Sequence, residues 1–143
     1  MFSKMKKNAF FATLMSLLFA SQAQKPKQQP AAKTRTTARV ETLSADAFAR
    51  RIAAGGIVLV DVRSPKEYAE GHLKGAVNVA WGDQFDSLWQ AAAIGKGQPI
   101  AVYCRGGRRS KAAATALVKK GYTVINLDGG IMAWTKAGKP VVK

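Results

Sequence analysis

Short apolar segments alternate with amphipathic segments along residues 40–143. The segments at 57–62 and 99–104 are almost continuously apolar, which is typical of parallel strands that are covered on both faces. Shorter strands are predicted at 40–42, 76–79 and 123–127. Four or five short strands alternating with helices predict an α/β fold, in which a small parallel sheet carries helices on both faces.

Residues that favour helix termini mark where the intervening helices begin. Ser44 is a good N-cap, and Ser64-Pro65-Lys66-Glu67 combines a capping box with proline at the first helical position. Asp83 is the predicted cap of the next helix. Two more helices are predicted, one from Ser110 to Lys120 and one that follows Asp128-Gly129-Gly130 and continues through Trp134.

The first 39 residues have a different composition from the rest of the chain. A basic stretch, an apolar run over residues 9–20 and Ser21-Gln22-Ala23 follow the layout of a secretory signal peptide, with cleavage predicted after Ala23. The apolar run would rise only about 18 Å as a helix, short of a hydrocarbon core of roughly 30 Å, so stable membrane insertion is not expected. Residues 24–39 contain no acidic, aromatic or large aliphatic side chain. This composition predicts a flexible basic linker. We therefore expect residues 40–143 to form the domain of an exported protein, periplasmic or secreted.

The net charge of +15 would suggest a nucleic-acid partner if it were spread evenly. Residues 1–39, however, carry 8 of the lysines and arginines and none of the acidic residues, so about half of the excess lies outside the predicted domain. Nucleic-acid binding is disfavoured, because the protein is predicted to be exported and its sequence contains no stripe of alternating aromatic and basic residues. One cysteine and one histidine exclude a disulfide framework and a structural zinc site. We expect no metal and no cofactor, and a monomer.

Cys104 is the candidate nucleophile, because it ends a predicted buried strand at the edge where open α/β sheets bind ligands. The loop Arg105-Gly106-Gly107-Arg108-Arg109 follows it, and the predicted helix begins at Ser110. The glycines allow successive amides to form an anion nest, to which the helix adds its positive end. Amides and guanidinium groups both favour a thiolate, which predicts a reactive cysteine and not an inert buried one.

The spacing of this loop also disfavours a phosphatase. Cysteine phosphatases of similar architecture require arginine six positions after the cysteine, to hold a phosphate, and that position is Ser110 here.

These motifs resemble the rhodanese-like sulfurtransferases. The resemblance runs in order through residues 40–140 and includes the 104–110 loop, Leu59-Val60-Asp61-Val62-Arg63, Gly71-His72 and Asp128-Gly129-Gly130-Ile131. It implies that Cys104 takes a sulfane sulfur from thiosulfate or a persulfide donor and passes it to cyanide or a thiol. It further implies that the amides of residues 105–109 hold the terminal sulfur, that Arg105, Arg108 and Arg109 attract the anionic donor, and that Ser110 donates a hydrogen bond.

The remaining polar candidates have less distinctive surroundings. Asp61 and Arg63 could shape the pocket mouth, although such a pair more often holds loops together. His72 could form a Cys–His pair with Cys104, but its position in the family pattern favours a structural hydrogen bond. An exported persulfide or polysulfide carrier with little intrinsic turnover is the alternative to an enzyme.

Overall fold

Five parallel strands form the central layer of the computed structural model, which describes residues 40–143. The strand order across the sheet is β1-β5-β4-β2-β3, and every neighbouring pair is parallel. The predicted parallel α/β architecture is therefore confirmed, with five strands. The predicted signal peptide and linker, residues 1–39, lie outside the described residues. The strands are β1 (Val40–Leu43), β2 (Val58–Asp61), β3 (Val77–Asn78), β4 (Ile100–Tyr103) and β5 (Val124–Leu127).

Helices cover both faces of the sheet, as the apolar strands predict. Alternate residues of β4 point to opposite faces, so Val102 joins one apolar layer while Ala101 and Tyr103 join the other. The first layer contains residues of α3 and α4, and the second contains residues of α1 and α5. The helices are α1 (Ala45–Ala53), α2 (Pro65–Glu70), α3 (Phe85–Ala92), α4 (Arg108–Lys119) and α5 (Gly130–Lys136).

Two of the predicted helix caps form, and one does not. The Ser44 side chain accepts a hydrogen bond from the Ala47 amide, and Ser64 and Glu67 form the complete capping box at the start of α2. The prediction that Asp83 caps α3 is wrong. Asp83 lies in a turn one residue before the N-cap Gln84, whose side chain makes no capping bond.

The helix α4 begins at Arg108, two residues earlier than predicted. Gly107 is its N-cap and adopts a left-handed conformation with φ of 106°. Glycine adopts this backbone angle at little cost in conformational free energy, whereas other residues are strained by it. Gly107 therefore lets the chain pass from the loop into the helix within one residue. Arg108 and Arg109 consequently lie in the first turn of α4 and not in the loop.

The helix α5 holds the backbone that follows β4. The Ile131 amide donates to the Cys104 carbonyl at 2.8 Å, and the Met132 amide donates to the Arg105 carbonyl at 3.1 Å. Gly130 has φ of 61°, and a Cβ at this position would overlap the backbone of Cys104 and Arg105. The close approach of α5 to the segment after β4 therefore requires glycine.

We expect Gly130→Ala to lower the free energy of unfolding by about 2–4 kcal/mol, from the left-handed backbone and the steric overlap together. Gly138→Ala is the matched control, because Gly138 has φ of 80° but open space around it. The control should lose about 1 kcal/mol, the backbone contribution alone. Urea unfolding of both variants measures the difference. Equal losses would contradict a close contact between α5 and the Cys104 backbone.

Candidate active site

Cys104 lies directly after β4, at the carboxyl edge of the sheet, and only 1% of its surface is exposed. Its Sγ accepts a hydrogen bond from the Gly107 amide at 3.0 Å. The hydroxyl of Ser110, which is fully buried in the first turn of α4, lies 3.4 Å from the same sulfur. The loop therefore turns its donors onto the sulfur, as the glycine pattern predicts.

Two opposing effects set the pKa of Cys104. Burial is the largest effect and raises the pKa, because it penalises the charged thiolate. Hydrogen bonds from the Ser110 hydroxyl and from the amides of Ser110, Gly107 and Gly106 act in the opposite direction. Together they outweigh burial, so the pKa of the thiol lies below its ordinary value. The principal stabilisation of the thiolate thus comes from short-range donors of the loop and α4.

The three predicted substrate-binding arginines have different surroundings. Arg109 forms a two-bond ion pair with Glu67 of α2, at 2.8 and 3.0 Å. Arg105 and Arg108 are exposed, and neither has an ion-pair partner within residues 40–143. Their guanidinium groups are available to an anion, whereas that of Arg109 is already engaged. Its predicted role in binding substrate stays a prediction, and its observed role is to connect α4 to α2.

Asp61 and Arg63 form a buried ion pair close to the carboxyl end of β2. The guanidinium of Arg63 donates to Asp61 Oδ2 at 2.7 Å and to the Gly71 carbonyl at 2.6 Å. The Tyr103 hydroxyl donates a hydrogen bond to the same Asp61 oxygen at 2.8 Å and accepts one from the Leu73 amide. Burial is the largest effect that raises the pKa of Tyr103, and the negative charge of Asp61 is the next. The phenol therefore stays protonated and remains a hydrogen-bond donor. The network fixes the loops on either side of α2, and Arg63 also reaches the wall of a cleft described below.

His72 makes contacts that support its structural interpretation. Its Nδ1 lies 2.8 Å from the Tyr68 carbonyl, and its ring stacks on the Tyr68 ring with 3.7 Å between centroids. Its backbone exchanges two hydrogen bonds with Val142, both 2.8 Å long. The histidine thus connects α2 to the carboxyl-terminal segment.

A cleft of 280 Å³ lies beside Arg105. Sequence reasoning missed it, because its walls come from the capping-box helix α2, from α5 and from the end of the chain. Most of these residues follow the strands β2 and β5, and Arg105 follows β4, so they are distant from one another in the sequence. The lining residues are Arg63, Glu67, Glu70, Gly71, Arg105, Ile131, Met132, Thr135 and Val141.

The described part of the chain shows neither a cluster of metal ligands nor a membrane-spanning helix. Residues 40–143 bring no three His, Cys, Asp or Glu side chains together as metal ligands. In the same range, no helix has the length and apolar character needed to cross a bilayer.

Comparison with known proteins places the chain in a family. The rhodanese-like domain model matches residues 44–137, so the chain belongs to the rhodanese-like domain family. A sulfurtransferase of Allochromatium vinosum is 33% identical over 105 residues, which cover 72% of this chain and 95% of that protein. A rhodanese-related protein of Thermoplasma volcanium superposes with a TM-score of 0.64 at 27% identity, over 71% of this chain and 97% of that one. A thiosulfate sulfurtransferase of Pseudomonas aeruginosa superposes with a TM-score of 0.60 at 26% identity, over 73% of this chain and 20% of that one.

We expect Glu67→Gln to reduce stability at neutral pH and to flatten its decline in acid. Hydrogen bonding to Arg109 is the main reason that the pKa of Glu67 falls from 4.5 to about 2. A lowered carboxylate pKa stabilises the native state above about pH 4.5, and this stabilisation is lost as the pH falls through about 2. Urea unfolding across this pH range measures the slope.

Glu70→Gln is the control, because Glu70 lies on the same helix and has only an exposed pair with Lys66 at 3.8 Å. Equal slopes for the unmodified chain and Glu67→Gln would show that the Glu67–Arg109 pair contributes nothing to acid stability.

Proposed function

We propose that the chain is a sulfurtransferase that moves a sulfane sulfur through a persulfide on Cys104. The observation that carries this proposal is the group of donors around Sγ, where the Gly107 amide lies at 3.0 Å and the Ser110 hydroxyl at 3.4 Å. A thiolate is the nucleophilic form of cysteine, and the lowered pKa of Cys104 increases its population. Family membership and the relative named a sulfurtransferase support the same reaction class.

The reaction has two steps, and the donor product leaves before the acceptor reacts. In the first, the Cys104 thiolate attacks the outer sulfur of thiosulfate. The S–S bond of the donor breaks, its electron pair leaves with sulfite, and a Cys104 persulfide anion remains. In the second, an acceptor nucleophile attacks the outer persulfide sulfur, and the Cys104 thiolate departs. Cyanide becomes thiocyanate, and a thiolate becomes its own persulfide.

The donors of the loop have a role in both steps. The amides of residues 105–109 would stabilise negative charge on the outer sulfur, and the amide of Gly107 and the hydroxyl of Ser110 would stabilise the departing thiolate. Arg105 and Arg108, exposed and without ion pairs in the described range, would draw the dianionic donor to the loop. Arg109 would hold α4 against α2 through Glu67 and so keep the first turn of α4 in place.

We further propose that this reaction takes place outside the cytoplasm, because the first residues follow the layout of a signal peptide. The basic stretch, the apolar run at 9–20 and the small residues before Gln24 support export with cleavage after Ala23. The chain contains no second cysteine with which Cys104 could form an internal disulfide. In an oxidising compartment the thiol would therefore depend on an external reductant or on its bound sulfur for protection.

We expect the full chain to gain the mass of one sulfur atom at Cys104 when it is incubated with thiosulfate. It should also convert thiosulfate and cyanide to thiocyanate, and Cys104→Ser should lose both properties because it lacks the nucleophile. Intact-mass analysis with peptide mapping and a thiocyanate assay are the measurements. Thr115→Ala is the control, because its exposed hydroxyl lies on α4 and bonds only to the Lys111 carbonyl. Loading without turnover would instead favour a sulfur carrier, and absence of loading would contradict both functions.

A further inference from the structure

Two ion pairs connect the segment around Cys104 to the helix α2. Arg63 binds Asp61 at 2.7 Å, and Arg109 binds Glu67 through two hydrogen bonds of 2.8 and 3.0 Å. Two guanidinium groups and two carboxylates therefore occupy this side of the loop, and their charges cancel. A second positive charge near the sulfur is thus present in the structure but neutralised.

Arg109 lies close enough to Cys104 for their charges to interact. It precedes Ser110 in the first turn of α4, and the Ser110 hydroxyl lies 3.4 Å from Cys104 Sγ. Hydrogen bonding to Glu67 is the largest cause that raises the pKa of Arg109, and the negative charge of Cys104 raises it further. An anion bound at the sulfur would therefore interact with the same guanidinium.

The Glu67 carboxylate is fixed in place and stays charged. Its Oε1 accepts hydrogen bonds from the Ser64 amide at 3.2 Å and from the Ser64 hydroxyl at 3.0 Å, in addition to the bond from Arg109. Hydrogen bonding to Arg109 is the main cause that lowers its pKa to about 2. The side chains of Arg109 and Glu67 are 35% and 27% exposed, so water screens their charges only in part. Glu67 therefore neutralises Arg109 throughout the neutral pH range.

We propose that Glu67 is a positioning residue that sets the charge preference of the site for its sulfur donor. By pairing with Arg109, it weakens the attraction of the site for dianionic donors such as thiosulfate, relative to singly charged donors such as thiosulfonates. Arg105 and Arg108 still attract anions from the exposed side of the loop. This inference rests on the proposed function, because it concerns the donor that loads Cys104 with sulfur.

Two donors of matched chemistry separate charge from other effects. With thiosulfate or methanethiosulfonate, the Cys104 thiolate attacks the outer sulfur and the S–S bond of the donor breaks. The electron pair leaves with sulfite or with methanesulfinate, and a Cys104 persulfide anion remains in both cases. A methyl group replaces one charged oxygen, so the donors differ by one unit of charge. Their leaving groups are the same for every variant, so a change in the ratio of their rates reports the charge of the site.

We expect Glu67→Gln to raise the ratio of the second-order loading rate constants, thiosulfate over methanethiosulfonate, by about fourfold. The substitution leaves Arg109 positive and unneutralised, and the resulting attraction is proportional to the charge of the donor. Loading of the full chain is followed by intact mass after rapid mixing with each donor. Because both donors react with the same folded population, a loss of stability affects both rates and not their ratio.

The complementary variants distinguish charge from a purely structural role. Arg109→Gln removes the cation and leaves the Glu67 carboxylate, so the ratio should fall by about the same factor of four. The double variant Glu67→Gln with Arg109→Gln has neither charge, and its ratio should return to within about a factor of two of the unmodified chain. If the pair served only to hold α4 against α2, all three variants would slow both donors alike.

Asp86→Asn is the matched control for the loss of one acidic charge. Asp86 pairs with Lys120 at 3.2 Å, and this exposed pair lies at the opposite end of α4 from Arg109. The control thus removes the same charge from another ion pair of the same helix, far from the sulfur. Its donor ratio should equal that of the unmodified chain.

Three results would overturn the proposal while the proposed function remained valid. These are an unchanged or lower ratio in Glu67→Gln, an unchanged or higher ratio in Arg109→Gln, and an equal rise in Asp86→Asn. Failure of the unmodified chain to form a persulfide with either donor would instead overturn the proposed function, and the role of Glu67 with it.

Discussion

The hydrogen bonds donated to Cys104 Sγ are the interaction on which the candidate site depends. The sulfur is almost completely buried, and burial by itself favours the neutral thiol. Hydrogen-bond donors in the same buried space reverse this preference. The Gly107 amide and the Ser110 hydroxyl are such donors, and both owe their position to the path of the backbone between β4 and α4. The chemistry of the sulfur is therefore a property of the loop conformation.

Other parts of the fold maintain that conformation. Gly107 takes the left-handed backbone angle that lets α4 begin immediately, and Gly130 lets α5 approach the Cys104 backbone and bind its carbonyl. The Glu67–Arg109 pair connects the first turn of α4 to α2, at a position 42 residues earlier in the chain. The loop is thus held by one helix through backbone bonds and by another through an ion pair.

Local sequence patterns predicted most of the fold and the centre of the site. Continuous apolar strands predicted the parallel sheet, Ser44 and Ser64 predicted two caps, and the glycines after Cys104 predicted amides directed at the sulfur. Each of these depends on residues that are neighbours in the sequence. Asp83 shows the limit of this reasoning, because a suitable capping residue one position too early makes no cap.

Features that join distant segments could not be predicted in the same way. The sequence predicts Glu67 as a capping-box residue, but nothing in it indicates that its carboxylate also binds Arg109. The three arginines were indistinguishable in the sequence, and only the structure separates the paired Arg109 from the unpaired Arg105 and Arg108 of the described domain. The cleft likewise combines side chains from α2, α5 and the chain end.

Titration of the Cys104 thiolate tests the central claim most directly, because the chain contains one cysteine and the signal is unambiguous. Thiolate absorbance is followed against pH in the folded chain and in the urea-unfolded chain, with Cys104→Ser subtracted as background. A lower pKa in the folded chain, which Ser110→Ala moves upward, is the predicted result. A folded pKa equal to or above the unfolded one would contradict the account, because burial would then outweigh the donors of the loop.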